Sequence, residues 1–107
     1  NEFTLSSQQA THLFRIVQEA TNNAIKYADA TLISVSIHTQ PDRLLCTISD
    51  NGKGFDFNKV KDGFGFQTMR DRAKALHAEI TTSSTVGEGT SILLSMPIEY
   101  DEMRMDK

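Results

Sequence analysis

The spacing of apolar residues changes along this chain, and the change limits the folds that it can adopt. In residues 6–28 the apolar side chains recur every three or four positions, as on one face of an α-helix. In residues 31–39 and 43–49 they alternate with polar side chains, which is typical of strands with one buried face. One-sided helices and strands bury their apolar faces against each other, so these patterns predict one mixed core. A helical pattern follows in residues 66–77, and residues 79–85 and 90–96 are expected to form a second hairpin whose second strand again alternates.

This order of elements predicts an α+β fold, a two-layer α/β sandwich whose mostly antiparallel mixed sheet is covered by helices on one face. A short strand at residues 3–5 is expected before the first helix, and Ser6 with Gln9 fits a capping box at the helix start. The 107 residues suffice for one core. We therefore expect one domain at residues 1–98 and a tail at residues 99–107. Because the chain does not begin with methionine, we also expect a longer parent protein.

Charge and cysteine content exclude several classes of protein. The 11 basic and 14 acidic residues give a formal charge of −3, which does not imply a basic face for nucleic acid. The single cysteine, Cys46, excludes an intramolecular disulfide and a multi-cysteine zinc site. No apolar run is long enough for a transmembrane helix. His12, His38 and His77 lack the spacing of a metal site or a catalytic triad.

Three polar residues of the first predicted helix share one face. Glu19 and Asn23 are four residues apart, and Lys26 follows three residues later. A carboxylate, an amide oxygen and an ammonium on one face can hold a hydrated Mg²⁺ and a phosphate chain, since Mg²⁺ prefers oxygen ligands and keeps several waters. The alternative is a solvated polar face with interactions only within the helix, which is the commoner case for an arbitrary helix.

A glycine motif follows the second predicted strand. Asp50, Gly52 and Gly54 alternate with other residues just where the alternating pattern ends. The Asp50 carboxylate can accept a hydrogen bond from an exocyclic amine, while the two glycines let a flat ring approach the backbone. The alternative is a turn in which Asp50 caps the backbone and the glycines supply positive φ angles.

Two further glycine motifs flank the second helix and the last hairpin. Gly63 and Gly65 immediately precede the helix, whose free amides form a ready anion site. The alternative is a flexible loop before an ordinary helix start. Gly87, Gly89 and Thr90 fit a hairpin turn entering a strand, and the Thr90 hydroxyl reaches a phosphate only if the fold brings it to the same end of the sheet. A familiar P-loop is excluded, because no Gly-Lys-Ser/Thr run is present.

Taken together, the four motifs resemble those of the GHKL ATPases, which have the Bergerat fold. In particular, the chain resembles the catalytic ATP-binding domain of bacterial sensor histidine kinases, in the branch related to nitrate and cell-envelope-stress sensors. The resemblance covers nearly the whole domain, and the motifs are specific in combination. Residues 13–28 are similar to the N box of that branch, 50–55 to its first glycine box, 63–73 to its glycine segment before the second helix, and 87–90 to its last glycine box.

The resemblance implies roles for the polar residues of the first helix and for Asp50. Asn23 would ligate Mg²⁺, and Lys26 would contact phosphate. Glu19 would orient a Mg²⁺-bound water or assist the removal of a proton from the nucleophile. Asp50 would accept a hydrogen bond from the adenine amino group, which favours ATP over GTP. The implied catalytic residues are Glu19, Asn23 and Lys26, and the implied cofactors are ATP and Mg²⁺.

The resemblance also assigns nucleotide contacts to residues around the glycine motifs. Tyr27 and Phe66, where the branch more often has His and Leu, would border the pocket. Residues 56–62 would form a mobile lid over ATP, with Lys59 and Lys61 near the phosphates. The residues expected to bind the nucleotide are Asn23, Lys26, Tyr27, Asp50, Gly52, Gly54, Gly63, Gly65, Phe66 and Thr90.

The implied function is that of an ATP-dependent protein-histidine kinase. The domain would donate the γ-phosphoryl group to a histidine on a separate dimerisation domain, absent from this chain, and a response regulator would act downstream. The isolated domain would therefore bind nucleotide without phosphorylating itself. We expect it to be monomeric and cytoplasmic, without nucleic-acid or membrane contacts, whether or not its parent protein has a membrane anchor.

Two other functions remain open from the sequence. One is an anti-sigma-factor serine kinase of the same superfamily, although the segment from Met69 to Arg72 favours the sensor-kinase branch. The other is a non-catalytic module that binds nucleotide or a partner. Four polar residues argue against it: Glu19, Asn23, Lys26 and Asp50. The DNA-linked ATPases of the superfamily are disfavoured, since they have longer lids and a transducer domain and this chain lacks a basic face.

Overall fold

The computed structural model describes residues 4–56, 63 and 65–98. The helices and strands of this part lie within two residues of their predicted positions. The short strand predicted at residues 3–5 is not formed at Thr4 and Leu5, and residue 3 lies outside the described residues. The elements in chain order are α1 (Ser7–Lys26), β1 (Ile33–Thr39), β2 (Arg43–Asp50), α2 (Phe66–Ala75), β3 (Glu79–Thr85) and β4 (Gly89–Pro97).

The four strands form one sheet in the order β1-β2-β4-β3. Each neighbouring pair is antiparallel, so the described part of the sheet is wholly antiparallel. Two hairpins, β1–β2 and β3–β4, are therefore joined along β2 and β4, with α2 in the connection between them. This arrangement confirms the predicted α+β class.

The core lies between the two helices and one face of the sheet. Ile16 of α1, Met69 of α2 and Leu94 of β4 are almost completely buried there. The opposite face of the sheet is mixed, since it carries hydroxyl side chains together with Leu45 and Leu93. The buried residues of this cluster lie on one side of α1 and α2 and at every second position of β2 and β4. They are Leu13, Ile16, Ala20, Leu44, Cys46, Ile48, Phe66, Met69, Ala73, Leu76, Ile92, Leu94, Met96 and Ile98.

Local sequence explains where the helices begin and end. The predicted capping box is present, since the Gln9 N–H donates to the Ser6 hydroxyl at 3.0 Å and the Ser6 N–H donates to the Gln9 side chain at 2.8 Å. Helix α2 ends two residues before its predicted end because His77 adopts a left-handed φ of 55°. The Ala78 N–H then bonds back to the Ala73 carbonyl at 2.8 Å, as in a Schellman motif.

Strand β1 differs from its predicted environment. Its apolar residues were expected to form a buried face, yet Val35 is 46% exposed and Ile37 is 56% exposed. They lie beside Ile48 and Cys46 of β2, which are buried, so their side chains are on the helix side of the sheet. The reason is position: β1 is an edge strand, and the core cluster under the helices takes its sheet residues from β2 and β4.

Candidate functional site

A cavity of about 330 Å³ lies between the second half of α1 and the ends of β2 and β4 that adjoin the glycine motifs. Its volume falls in the range of small-molecule sites, roughly 300–1,000 Å³. Apolar walls with a few polar groups suit a flat, largely apolar ring that carries hydrogen-bonding edges. The apolar walls are formed by Ala20, Ala24, Ile48, Phe55, Phe66 and Ile92, and the polar side chains in the lining are Asn23, Tyr27, Asp50, Lys53 and Thr90.

Sheet register places Asp50 and Thr90 side by side in this cavity. Asp50 of β2 is the cross-strand partner of Thr90, and Thr90 of β4 is the partner of Ser84. Cross-strand partners project from the same face of a sheet, so a carboxylate and two hydroxyls form one row. Asp50 Oδ1 accepts the Gly52 N–H at 2.8 Å. This bond fixes the carboxylate and leaves its other oxygen for a ligand.

The loop after β2 packs tightly against the β3–β4 hairpin. The Phe55 N–H donates to the Ser84 hydroxyl at 2.9 Å, and the Gly87 N–H donates to the Lys53 carbonyl. Gly89 has a φ of 98°, and a Cβ there would overlap the Asp50 carbonyl oxygen. Glycine at this position therefore allows β4 to start directly against the end of β2.

The same loop is also attached to the end of α1. The Asn51 side chain accepts the Thr31 and Leu32 N–H groups at 3.0 Å each. The Lys53 N–H donates to the Ala28 carbonyl at 2.8 Å, and a Cβ on Gly52 would overlap Ala28. These contacts hold the first glycine motif between α1 and the hairpin, so the cavity wall is fixed from both sides.

Two aromatic rings close one side of the cavity. Phe55 and Phe66 have ring centroids 5.2 Å apart with a tilt of 40°. Phe66 is buried in the first turn of α2, whereas Phe55 belongs to the loop after β2. The pair thereby connects the base of α2 to the glycine loop and presents apolar ring surface to the cavity.

Glu19 contacts the start of α2 rather than the cavity. Its carboxylate packs directly on Gly65, where a Cβ would overlap it. Gly65 is the N-cap of α2 and has a φ of 75°. A carboxylate near the amides of a helix N-terminus is favourable, because the helix dipole is positive there. Glycine at position 65 is thus what allows this approach.

The cavity brings together about half of the predicted nucleotide contacts. The predicted residues that line it are Asn23, Tyr27, Asp50, Gly54, Phe66 and Thr90. Lys26 is exposed in the last turn of α1, and Gly63 is exposed before α2. The predicted lid at residues 56–62, with Lys59 and Lys61, falls outside the described residues except for Asp56. Predicted residues that do not line the cavity are Glu19, Lys26, Gly52, Gly63 and Gly65.

Sequence reasoning missed several residues of the cavity. Ala20, Ala24, Ile48 and Ile92 have the periodicity of core residues, and nothing in the pattern separates a cavity wall from a filled core. Val86 lies at the exposed tip of the β3–β4 turn and also lines the cavity. An apolar side chain in an exposed turn is the one sequence signal that could have indicated a ligand surface here.

The part of the chain that the structure describes offers few other groups suited to metal binding or catalysis. That part holds no group of three or more His, Cys, Asp or Glu side chains arranged to bind a metal. Among its helices, none combines the length and the apolar character needed to span a membrane. Cys46 is fully buried, and burial raises the pKa of its thiol, which disfavours the thiolate and hence nucleophilic chemistry there.

Comparison with known proteins gives consistent matches. The DegS signal transduction histidine-protein kinase/phosphatase of Brevibacillus brevis is 40% identical over 91 residues, 84% of this chain and 24% of that protein. The UhpB signal transduction histidine-protein kinase/phosphatase of Salmonella typhimurium is 37% identical over 100 residues, 94% of this chain and 20% of that protein. The chain thus spans about a quarter or less of the length of these curated relatives.

A solved structure shows the same fold. The histidine kinase domain of the Erythrobacter litoralis EL346 blue-light activated histidine kinase superposes with a TM-score of 0.75 at 20% identity, over 85% of this chain and 45% of that one. The resemblance inferred from the motifs is confirmed by these matches. Residues 8–100 match the model of the histidine kinase-, DNA gyrase B-, and HSP90-like ATPases, and the chain therefore belongs to this family of ATP-binding domains.

Proposed function

We propose that this chain is the catalytic domain of a sensor histidine kinase, which binds Mg²⁺-ATP in the cavity and donates the γ-phosphoryl group to a histidine of a separate dimerisation domain. A response regulator would then receive the phosphoryl group. The observation that carries the proposal is the pairing of Asp50 with Thr90 at the end of a preformed cavity that Asn23 also lines. The relatives DegS and UhpB are named histidine-protein kinases, which favours histidine over serine as the acceptor.

Adenine recognition follows from the free oxygen of Asp50. The carboxylate accepts an N–H from the exocyclic amine of adenine, while its other oxygen remains on the Gly52 amide. Guanine carries a carbonyl at the same ring position, and a carbonyl facing a carboxylate is repelled. The apolar walls and the Phe55–Phe66 pair enclose the ring faces.

The phosphate end of the proposed site is built from α1. Asn23 lines the cavity, and Glu19 lies one helical turn away on the same side of the helix. An amide oxygen and a carboxylate fit a Mg²⁺ ion that keeps several waters. Lys26 is three residues beyond Asn23 and supplies a positive charge for the phosphates. When bound, Mg²⁺ neutralises phosphate charge.

Transfer needs positioning and charge neutralisation more than covalent help from the protein. A ring nitrogen of the acceptor histidine forms a bond to the γ-phosphorus while the bond from that phosphorus to the ADP oxygen breaks. The imidazole loses one proton, which Glu19 accepts directly or through water. ADP and phosphohistidine are the products.

An asparagine pair in α1 provides a matched test. Calorimetric titration with a non-hydrolysable ATP analogue, with and without Mg²⁺, is expected to show Mg²⁺-dependent saturation for the wild-type chain. Asn23→Ala should lose the gain in affinity from Mg²⁺. Asn22→Ala should keep it, because Asn22 is exposed and does not line the cavity. Unchanged Mg²⁺-dependent binding in Asn23→Ala would contradict the metal assignment.

A further inference from the structure

Ser84 is the cross-strand neighbour of Thr90 on the side away from Asp50, and it makes three hydrogen-bond contacts. Its Oγ is 2.9 Å from the Phe55 N–H donor, 3.1 Å from the Gly89 carbonyl oxygen and 2.8 Å from Thr90 Oγ1. Ser84 is half-buried at the end of β3. It therefore connects the loop after β2, the start of β4 and a hydroxyl that lines the cavity.

The number of hydroxyl protons available determines which atom donates in each of the three contacts of Ser84. A serine hydroxyl has one proton to donate and two lone pairs to accept. The Gly89 carbonyl can only accept, so it takes the Ser84 proton, and the Phe55 N–H occupies one lone pair. The contact with Thr90 is then satisfied only if the Thr90 hydroxyl donates to Ser84. This is the assignment in which all three contacts are hydrogen bonds.

The direction of the Thr90 bond determines what the cavity presents to a ligand. With its proton committed to Ser84, the Thr90 oxygen has only lone pairs left for the cavity that it lines. Asp50, beside it in the sheet, likewise offers only an acceptor. Two adjacent acceptors favour a ligand edge that carries an amine and disfavour an edge that carries a carbonyl.

We propose that Ser84 is a positioning residue for base selection, which holds the Thr90 hydroxyl as an acceptor so that the cavity prefers a 6-aminopurine to a 6-oxopurine. The proposal rests on the proposed function, since it requires that the cavity bind a nucleotide base. Ser84 does not itself line the cavity and acts through Thr90. Without Ser84, the Thr90 hydroxyl rotates and donates to a 6-carbonyl.

The neighbouring serine provides a matched control. Ser83 pairs with Ser91 and, by the alternation of a strand, projects from the opposite face of the sheet. Ser83→Ala removes the same atoms one position away, on an exposed side chain. Ser84→Thr retains a hydroxyl at the proposed position and should restore the selectivity that Ser84→Ala loses.

The experiment is a calorimetric titration of the chain and its variants with ADP and with IDP, which differ at the purine 6 position. Ser84→Ala should lower the preference for ADP over IDP by about three- to tenfold, the effect of one hydrogen bond. Ser83→Ala should leave the preference unchanged. Equal weakening of both nucleotides in Ser84→Ala would indicate only structural support and overturn the proposal.

Thr90→Val alone gives a second measurement that does not depend on the Ser84→Ala variant folding. Removing the acceptor should lower the preference by itself, and Ser84→Ala added to Thr90→Val should change it no further. An additional change would mean that Ser84 acts by another route. A wild-type chain that binds neither ADP nor IDP contradicts the proposed function itself, and one that binds both equally contradicts base selection at this site. A wild-type preference that survives both variants contradicts only the role of Ser84.

Discussion

The two ends of the candidate site are built differently. At the end where the base is proposed to bind, Asp50 and Thr90 are adjacent in the sheet, and backbone bonds join the glycine loop to α1 and to the β3–β4 hairpin. At the proposed phosphate end, Glu19 rests on Gly65, and Lys26 is exposed. The base end is thus fixed by backbone pairing, and the phosphate end depends on side chains at a helix surface. A substitution that crowds the backbone should therefore cost more stability at the first end than at the second.

The largest expected effect is on stability at the base end. Gly89→Ala places a Cβ against the Asp50 carbonyl at a φ of 98°, and neither backbone can move without breaking the β2–β4 pairing. We expect the free energy of unfolding to fall by about 2–4 kcal/mol in urea denaturation.

Gly87→Ala is the control for that measurement. Gly87 has a φ of 86°, but a Cβ there meets no atom within 4 Å. Its expected loss is only the cost of a left-handed residue, about 1–2 kcal/mol. Equal losses in Gly87→Ala and Gly89→Ala would show that the close approach of β4 to β2 is not what constrains the base end.

The next effect concerns ligand recognition. Asp50→Asn keeps an oxygen for the Gly52 N–H but presents an amide donor where a carboxylate accepted. ADP binding should weaken by about 10- to 100-fold, as for loss of a hydrogen bond to a charged group, with a smaller change for GDP. Asp71→Asn, on the exposed side of α2, should change neither affinity. An unchanged ADP-to-GDP ratio in Asp50→Asn would reject the adenine role of Asp50.

The smallest effect is expected at the phosphate end. Gly65→Ala also has a positive φ, but the overlapping atoms belong to the flexible Glu19 side chain, which can move away. The loss of unfolding free energy should be about 1–2 kcal/mol and should shrink when Glu19→Ala is combined with it. If Gly65→Ala lowers the unfolding free energy equally with and without Glu19, the Glu19–Gly65 contact does not contribute to stability.

Sequence periodicity was sufficient to predict the helices and strands, because each depends on the spacing of residues that are close together in the chain. The alternation in residues 90–96, together with the glycine turn before it, predicted both strands of the second hairpin. It did not single out Ser84, since the opposition of Ser84 and Thr90 depends on the register across the hairpin. Within a run of threonines and serines, composition does not distinguish a hydroxyl that faces the cavity from its neighbours.

The sequence patterns also did not show where the helices lie on the sheet. The exposure of Val35 and Ile37 depends on how far the helices reach across the sheet, which the alternation in β1 does not encode. The contact of Glu19 with Gly65 likewise depends on the packing of α1 against α2. Motif resemblance identified Glu19 and Gly65 separately, and the fold showed that they touch.

Titration of the wild-type chain with non-hydrolysable analogues of ATP and GTP in the presence of Mg²⁺ tests the central claim most directly. A preformed base end with Asp50 beside Thr90 predicts one-site saturation with the ATP analogue and clearly weaker binding of the GTP analogue. Absence of saturation, or equal affinity for the two analogues, would contradict the account.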